Sequence, residues 1–420
     1  MTVLIAGGGI AGLTLALSLH QIGVECRVFE STDSIQPLGV GINTLPHAVR
    51  ELTELGLLDQ LTANAIPTAE LVYFSARGQR IWSEPRGLAA GYNWPQFSIH
   101  RGTLQIMLLD ALRQRLGPGC IATGHHLTGW EDTATGVRAH FVNGRNGEPI
   151  GSADGSLLIA ADGIHSAVRA RLYPHEGPPI WNGAILWRGL THGAPFLTGR
   201  SMIMAGHEFQ KFVAYPISRT SADKGETTIN WIAERKFRPD LAWRREDWNR
   251  AGRPEDFLPQ FTDWQFDWLD VPSIIGAAAQ CFEYPMVDRD PVDRWTFGRA
   301  TLLGDAAHAM YPIGSNGASQ AILDARVLTR EIQRHGPTEH ALLAYETERR
   351  PATSKIVLAN RSNGPEQVMQ MVEQRAPNGY DRIENVLTPE ELEGTAAAYK
   401  RLAGFDVEAL NARPPIVTGR

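Results

Sequence analysis

Apolar and polar positions alternate along this chain with three different periods. Val3-Leu4-Ile5-Ala6 is a short unbroken apolar run, which predicts a strand buried on both faces. Leu13 to Ile22 repeats with helical spacing and stops at Gly23, and Cys26-Arg27-Val28-Phe29-Glu30 reads as the next strand. Strand, helix and strand in that order predict a βαβ unit and the start of a parallel sheet. Met107 to Leu116 is a second helical stretch, ended by Gly117-Pro118. Arg138 to Val142 alternates as an antiparallel strand before the turn Asn143-Gly144-Arg145-Asn146-Gly147, and Leu157-Leu158-Ile159-Ala160 is another buried strand. From about Gly183 to Ile232 the pattern becomes β-rich with polar turns, as in Ile185-Leu186-Trp187, Phe212-Val213-Ala214-Tyr215 and Thr227-Thr228-Ile229-Asn230-Trp231. Thr301-Leu302-Leu303 returns to the buried-strand pattern. The C-terminal part is helical, and Thr388-Pro389-Glu390-Glu391 is a capping box with proline at the first helical position.

The fold class expected is α/β: a Rossmann-like domain, an inserted and mostly antiparallel sheet, and a helical C-terminal segment. The expected boundaries are as follows. Residues 1–70, 98–180 and 275–350 form the discontinuous nucleotide-binding domain, 71–97 and 181–274 the sheet domain, and 351–420 the helical segment.

Composition narrows the function. With 43% hydrophobic and 20% charged residues over 420 positions, the chain is long enough for more than one domain with a large core. A net charge of −6 supplies no basic field for nucleic acid or acidic membranes. No apolar run is long enough to span a bilayer, and the N-terminal run lacks the basic region of a signal peptide. The three scattered cysteines, Cys26, Cys120 and Cys281, give no metal spacing and point to reduced thiols in a cytoplasmic protein. Eleven tryptophans are many for this length, and several crowd between Trp231 and Trp268.

The chemistry lies in three remote glycine segments. Gly7, Gly9 and Gly12 fit the dinucleotide fingerprint: one glycine turns the chain, one admits a pyrophosphate, and one lets helix pack on strand. Ile10 and Ala11 open the helix, whose first N–H groups face the phosphates, and Glu30 stands where an acid grips ribose hydroxyls. This segment alone leaves FAD and NAD open. The second segment is Ala161-Asp162-Gly163-Ile164-His165-Ser166-Ala167-Val168-Arg169. The third is Gly304-Asp305-Ala306-Ala307-His308, followed by Pro312-Ile313-Gly314-Ser315-Asn316-Gly317-Ala318.

Together these segments resemble the single-component (group A) flavin-dependent aromatic monooxygenases, with a para-hydroxybenzoate hydroxylase-like fold, over nearly the whole chain. The resemblance implies FAD as cofactor. Asp162 would lie beside the pyrophosphate, Arg169 would neutralise a phosphate of NADH or NADPH, and Asp305 would bond the ribityl chain. Pro312, Gly314, Asn316 and Gly317 would lie against the flavin ring. A helix starting near Ala318 would aim its positive end at the flavin edge that gains charge on reduction. Arg101 matches an FAD-contacting arginine, and Gly39 to Ala48 matches the loop beside the reactive ring edge. His47 stands where many relatives have asparagine and receives no role. The loop Gly314-Ser315-Asn316-Gly317, Trp187-Arg188-Gly189 and the tail Tyr399 to Asp406 resemble the phenazine and heteroaromatic hydroxylase branch.

The implied reaction is NAD(P)H reduction of FAD, addition of O2 to give a flavin C4a-hydroperoxide, and oxygen transfer to an electron-rich aromatic small molecule. The cofactor carries that chemistry, so no side-chain acid or base and no metal is assigned. Trp187, Arg188, Phe212, Tyr215 and Trp231, with Pro312 on the flavin side, are the expected substrate contacts. A monomer or homodimer is expected. A reductase, a Baeyer–Villiger or halogenase-like enzyme, and a non-catalytic flavin-bearing protein remain alternatives. The halogenase Trp-x-Trp-x-x-Pro signature is absent, and Lys211 and Lys236 lack the context of the halogenase lysine.

Overall fold

The structure, a computed structural model, describes residues 2–237 and 250–418. Trp243 and Trp248, part of the tryptophan-rich stretch, lie outside the described residues.

The first sheet has six strands in the order Thr296–Phe297, Ala300–Leu302, Leu157–Ala160, Val3–Ala6, Cys26–Phe29 and Ile121–Ala122. All neighbours run parallel except the first pair. Val3 pairs with Leu157 and Ala6 with Ala160, so the two unbroken apolar runs sit side by side at the centre. Both runs are buried along their whole length, as strands covered on both faces must be. The helices Ile10–Gln21, Arg101–Leu116 and Gly317–His335 share one apolar core with this sheet. Each predicted central strand and helix is present, the helices starting a few residues earlier than the periodicity alone indicates.

The second sheet has seven strands: Cys281–Asp288, Ile180–Gly193, Thr227–Lys236, Gln210–Pro216, Ser201–His207, Glu70–Phe74 and Arg80–Pro85. Only Ser201–His207 and Glu70–Phe74 run parallel, so the sheet is mostly antiparallel as expected. The expected boundary at 275 is corrected. Cys281–Asp288 pairs with Ile180–Gly193 and belongs to this sheet, a partnership set by residues a hundred positions upstream. The boundary at 350 also moves, because one continuous helix, Glu339–Arg361, crosses it with Pro351 in its interior. The capping box at Thr388 forms as read, with Glu391 bonding the Thr388 backbone in return.

This second sheet is sandwiched. One face packs Trp187, Phe212 and Trp231 against Phe257, Phe261 and Trp264. The other face carries Leu71, Tyr73, Met202, Met204 and Val213 against the helix Gln367–Arg375. Residues along a strand alternate between these faces, and that alternation decides which side chains reach the site.

Candidate active site

The three glycine segments converge. Gly7 has φ +107°, and a Cβ there would lie 2.2 Å from the Ala161 carbonyl oxygen, so the first two loops press together backbone to backbone. The Gly7 N–H donates to the Phe29 oxygen at 2.7 Å, and the Ala161 N–H to the Ala6 oxygen at 2.8 Å. Gly304, at φ +62°, places its α-carbon against Ala11, which brings the third loop onto the first helix. The loops border a cavity of about 310 Å³ lined by Gly9, Ile10, Ala11, Arg101, Gly163, Asp305, Pro312, Asn316, Gly317 and Ala318 on this side.

The lining fits FAD. A Cβ on Gly9 would meet nothing within 4 Å, so this glycine keeps open the space a pyrophosphate needs. Gly9 is also the N-cap of Ile10–Gln21 and no side chain caps that helix, which leaves N–H groups for an anion. Glu30 is held at the end of its strand: one carboxylate oxygen accepts from the Gly8 N–H at 2.8 Å, the other from the Thr32 N–H at 2.8 Å. Asp305 borders the cavity and is exposed to it while protein surrounds it, and burial pushes its pKa above the usual carboxylate value. The 19-residue helix Gly317–His335 points its N-terminus into the same cavity. Its N-cap, Asn316, is buried with an unpartnered Nδ2. Arg101 begins Arg101–Leu116 and borders the same cavity. Gly314 lies behind this loop, its α-carbon against the Tyr399 ring.

Two residues of the second segment, Asp162 and Arg169, make bonds that hold the loop itself. Asp162 accepts from the Ala167 N–H, the first of a short helix capped by Ser166, at 2.8 Å, and burial raises its pKa. Its other oxygen is buried without a partner. Arg169 is the clearer correction. It is 1% exposed, pairs with Glu176, and donates to the carbonyls of Ala306, Ala307 and Asp290 at 3.1, 2.8 and 2.7 Å. All of its donating nitrogens are in use, so it ties the second loop to the third and is closed to a nicotinamide phosphate.

The sheet forms the opposite wall. Leu186, Arg188, Met202, Met204, Lys211, Val213, Tyr215, Ile232, Glu234 and Met286 line it, joined by Glu366. Arg188 and Tyr215 both donate to the Gly41 carbonyl, at 2.8 and 2.9 Å, and Gly41 donates to the Asn230 side chain at 2.7 Å. Among the described residues Arg188 has no carboxylate partner, and its Nε is buried unbonded. The expected contacts Trp187, Phe212 and Trp231 are corrected. They lie on the other face, where Trp187 stacks on Phe257 with ring centroids 4.6 Å apart and the Trp231 indole N–H donates to Thr191 at 3.0 Å. Sequence reasoning missed Met202, Met204, Lys211, Glu234 and Glu366. A signal existed for two of them: Lys211 and Glu234 are charges inside apolar strands, in phase with Tyr215 and Ile232.

His47 is fully buried, stacks on Phe405 at 5.0 Å, and has its pKa lowered to about 3 by burial, with Arg413 and Arg349 adding to it. It is a neutral packing residue. The cysteines are all free thiols. Among the described residues no cluster suits a metal ion and no helix is long and apolar enough to cross a membrane.

Comparison with known proteins agrees with this geometry. The FAD binding domain family matches residues 1–179 and 267–360. The phenazine 1,6-dicarboxylic acid hydroxylase PhzS of Lysobacter antibioticus is 49% identical over 86% of this chain and 89% of its own length. The 3-amino-4-hydroxybenzoate 2-monooxygenase of Streptomyces cremeus is 30% identical over 98% of both chains. In fold, Klebsiella pneumoniae HpxO complexed with FAD and uric acid superposes with a TM-score of 0.71 at 24% identity, covering 96% of this chain and 93% of that one. With its three loops gathered on one cavity and these relatives along its length, the chain belongs to the FAD binding domain family of flavin-dependent aromatic monooxygenases, and FAD is its cofactor.

Proposed function

We propose that this monooxygenase hydroxylates an electron-rich heteroaromatic carboxylic acid, the carboxylate resting on Arg188. The observation that carries the reading is the Arg188 guanidinium. It stands in a wall otherwise rich in methionine and branched aliphatic side chains, bonded to a neutral carbonyl and to no acid among the described residues. A cation left in that state is a site for an anionic group. The names of two relatives point the same way, since phenazine 1,6-dicarboxylic acid and 3-amino-4-hydroxybenzoate are both aromatic acids.

FAD, when bound, supplies the activation of O2, with NADH or NADPH as the source of electrons. The residues supply the rest. Asp305, Gly9 and the N-terminus of Gly317–His335 hold and polarise the cofactor site. Met202, Met204, Val213, Ile232 and Met286 keep water from the reacting ring. Tyr215 and Arg188, sharing the Gly41 oxygen, orient the substrate's polar end. Three free thiols support a reducing, cytoplasmic setting.

The test is NAD(P)H oxidation by FAD-loaded protein with heteroaromatic acids beside their methyl esters, with product masses measured. Acids that stimulate oxidation and gain one oxygen support the reading. Equal stimulation by acids and esters removes Arg188 from it, and a product lacking two hydrogens means dehydrogenation. A halogenase is disfavoured because Lys211 and Lys236 are both engaged by carboxylates.

A further inference from the structure

Three ionisable side chains border the cavity apart from the glycine loops. Lys211 Nζ lies 2.9 Å from Glu234 Oε2 and 2.5 Å from Glu366 Oε2. All three side chains are more than nine-tenths buried and all three border the cavity. They come from three places: Lys211 and Glu234 from neighbouring strands in direct register, Glu366 from the turn after Glu339–Arg361. Buried charges are costly to keep, and two carboxylates around one ammonium over-cancel its charge. Burial raises the pKa of Glu234 above the usual carboxylate value, with Lys211 opposing the shift and the like charge of Glu366 adding to it.

Its position relative to Arg188 is fixed by strand register. Leu186, Glu234 and Lys211 form one row across three strands, and Arg188, Ile232 and Val213 the next. The rows are about 7 Å apart, and Arg188 reaches away from the cluster toward Gly41. The cavity therefore has two unlike polar ends: a cation with no acid partner among the described residues, and an ammonium whose charge is spent. An ammonium has three donors, and the two carboxylates engage two of them. The third remains for a ligand, and its surroundings repel an anion while accepting a neutral lone pair.

We propose that Lys211, clamped by Glu234 and Glu366, donates its remaining N–H to a neutral acceptor atom of the substrate ring, a ring nitrogen or ring carbonyl, and so selects heteroaromatic monoacids over all-carbon rings and over diacids. This deepens the reading of Arg188 as the carboxylate site and rests on it.

The experiment is titration of the FAD-loaded enzyme with phenazine-1-carboxylate and anthracene-1-carboxylate, followed by the change in flavin absorbance. The two acids share shape and carboxylate and differ in the ring nitrogens. A hydrogen bond from a charged donor predicts a phenazine preference of roughly 10-fold to 100-fold. Lys211→Met should bring the ratio close to one. Arg188→Met should weaken both acids alike and leave the ratio in place. Because Lys211→Met strands two buried carboxylates and can unfold the protein, Glu234→Gln is the second variant. It keeps the shape, makes the cluster more positive, and should raise the affinity for phenazine-1,6-dicarboxylate relative to the monoacid. A wild-type ratio near one, a Lys211→Met enzyme that keeps the preference, or a Glu234→Gln enzyme with an unmoved diacid ratio overturns the proposal. If neither acid binds, unsubstituted phenazine and anthracene decide. A Lys211-dependent preference for phenazine then keeps the role of Lys211 and discards the acid reading, and no preference discards both.

Discussion

Asp324 accepts a 3.1 Å hydrogen bond from the backbone N–H of Gly304, so the middle of one helix holds the turn that presents Asp305. The same carboxylate accepts from His308 Nε2 at 2.5 Å and from Arg349 Nε at 2.6 Å. It is fully buried. Burial pushes its pKa up, yet His308 and Arg349 outweigh burial and hold it below the usual range. A depressed carboxylate stabilises the fold above its unfolded pKa of about 3.9 and loses that contribution as pH falls through the folded value. Removing it strands a buried arginine, so Asp324→Ala should cost about 3–5 kcal/mol. The expected result is a lower Tm together with weaker FAD retention on gel filtration. Loss of neither would mean the turn is held by other contacts.

Arg169 gives the opposite expectation from the one its motif implies. Its bonds join Glu176, Asp290 and the Ala306 and Ala307 carbonyls, so Arg169→Met should lower Tm and release FAD. The KM for NAD(P)H in whatever holoenzyme survives should stay unchanged. A raised KM with normal Tm and normal FAD content would restore the phosphate-binding role.

Two glycines of one loop separate folding from cofactor binding. Gly7→Ala drives a methyl to 2.2 Å from the Ala161 oxygen at a φ of +107°, so the variant should be poorly folded. Gly9 has an ordinary negative φ and empty space at its Cβ position. Gly9→Val should therefore fold with near-normal apoprotein Tm and bind FAD at least about tenfold more weakly, the branched side chain standing in the phosphate space. Fluorescence titration of the apoprotein with FAD, beside a thermal melt, reads both quantities.

His47 should make the protein acid-sensitive. Its folded pKa of about 3 lies below the unfolded value of about 6.5, so the native state binds this proton only at lower pH than the unfolded chain does. Stability from this site is complete above about pH 6.5 and is lost progressively as pH falls toward the folded value. His47→Asn, which cannot titrate, should show a smaller Tm drop between pH 7 and pH 5 than the parent. Parallel Tm curves would mean that the imidazole does not control acid stability.

The loops were legible because each glycine answers a local demand of the backbone. Gly7 must turn, Gly9 must stay bare, and Gly12 must let the first helix approach the Gly7 oxygen. The site's outer wall was not legible in the same way. In Gln210–Pro216 both faces are apolar, since the sheet lies between two cores, and alternation alone does not say which phase faces the cavity. Lys211 carried that information, as a charge that no all-apolar core would accept. The membership of Cys281–Asp288 was hidden because its partner strand is remote in sequence. Arg169 was hidden because a motif fixes a position in the chain and leaves the direction of its side chain to Glu176 and the Ala306 carbonyl.

The two faces of the sheet yield the last prediction. Trp231 packs in the distal core and donates to Thr191, while Tyr215, one strand over and in the opposite phase, meets Gly41 beside the cavity. Trp231→Leu removes buried ring volume and should cost about 3 kcal/mol, seen as a Tm lowered by several degrees. Its KM for an aromatic substrate should hardly move. Tyr215→Phe keeps the ring and its packing and deletes only the hydroxyl, so Tm should change little. The Gly41 oxygen then keeps Arg188 alone, the substrate's polar end is held by fewer groups, and KM should rise several-fold with a smaller effect on kcat. If Trp231→Leu raises KM as much as Tyr215→Phe does, the division of the sheet into a structural face and a substrate face is wrong.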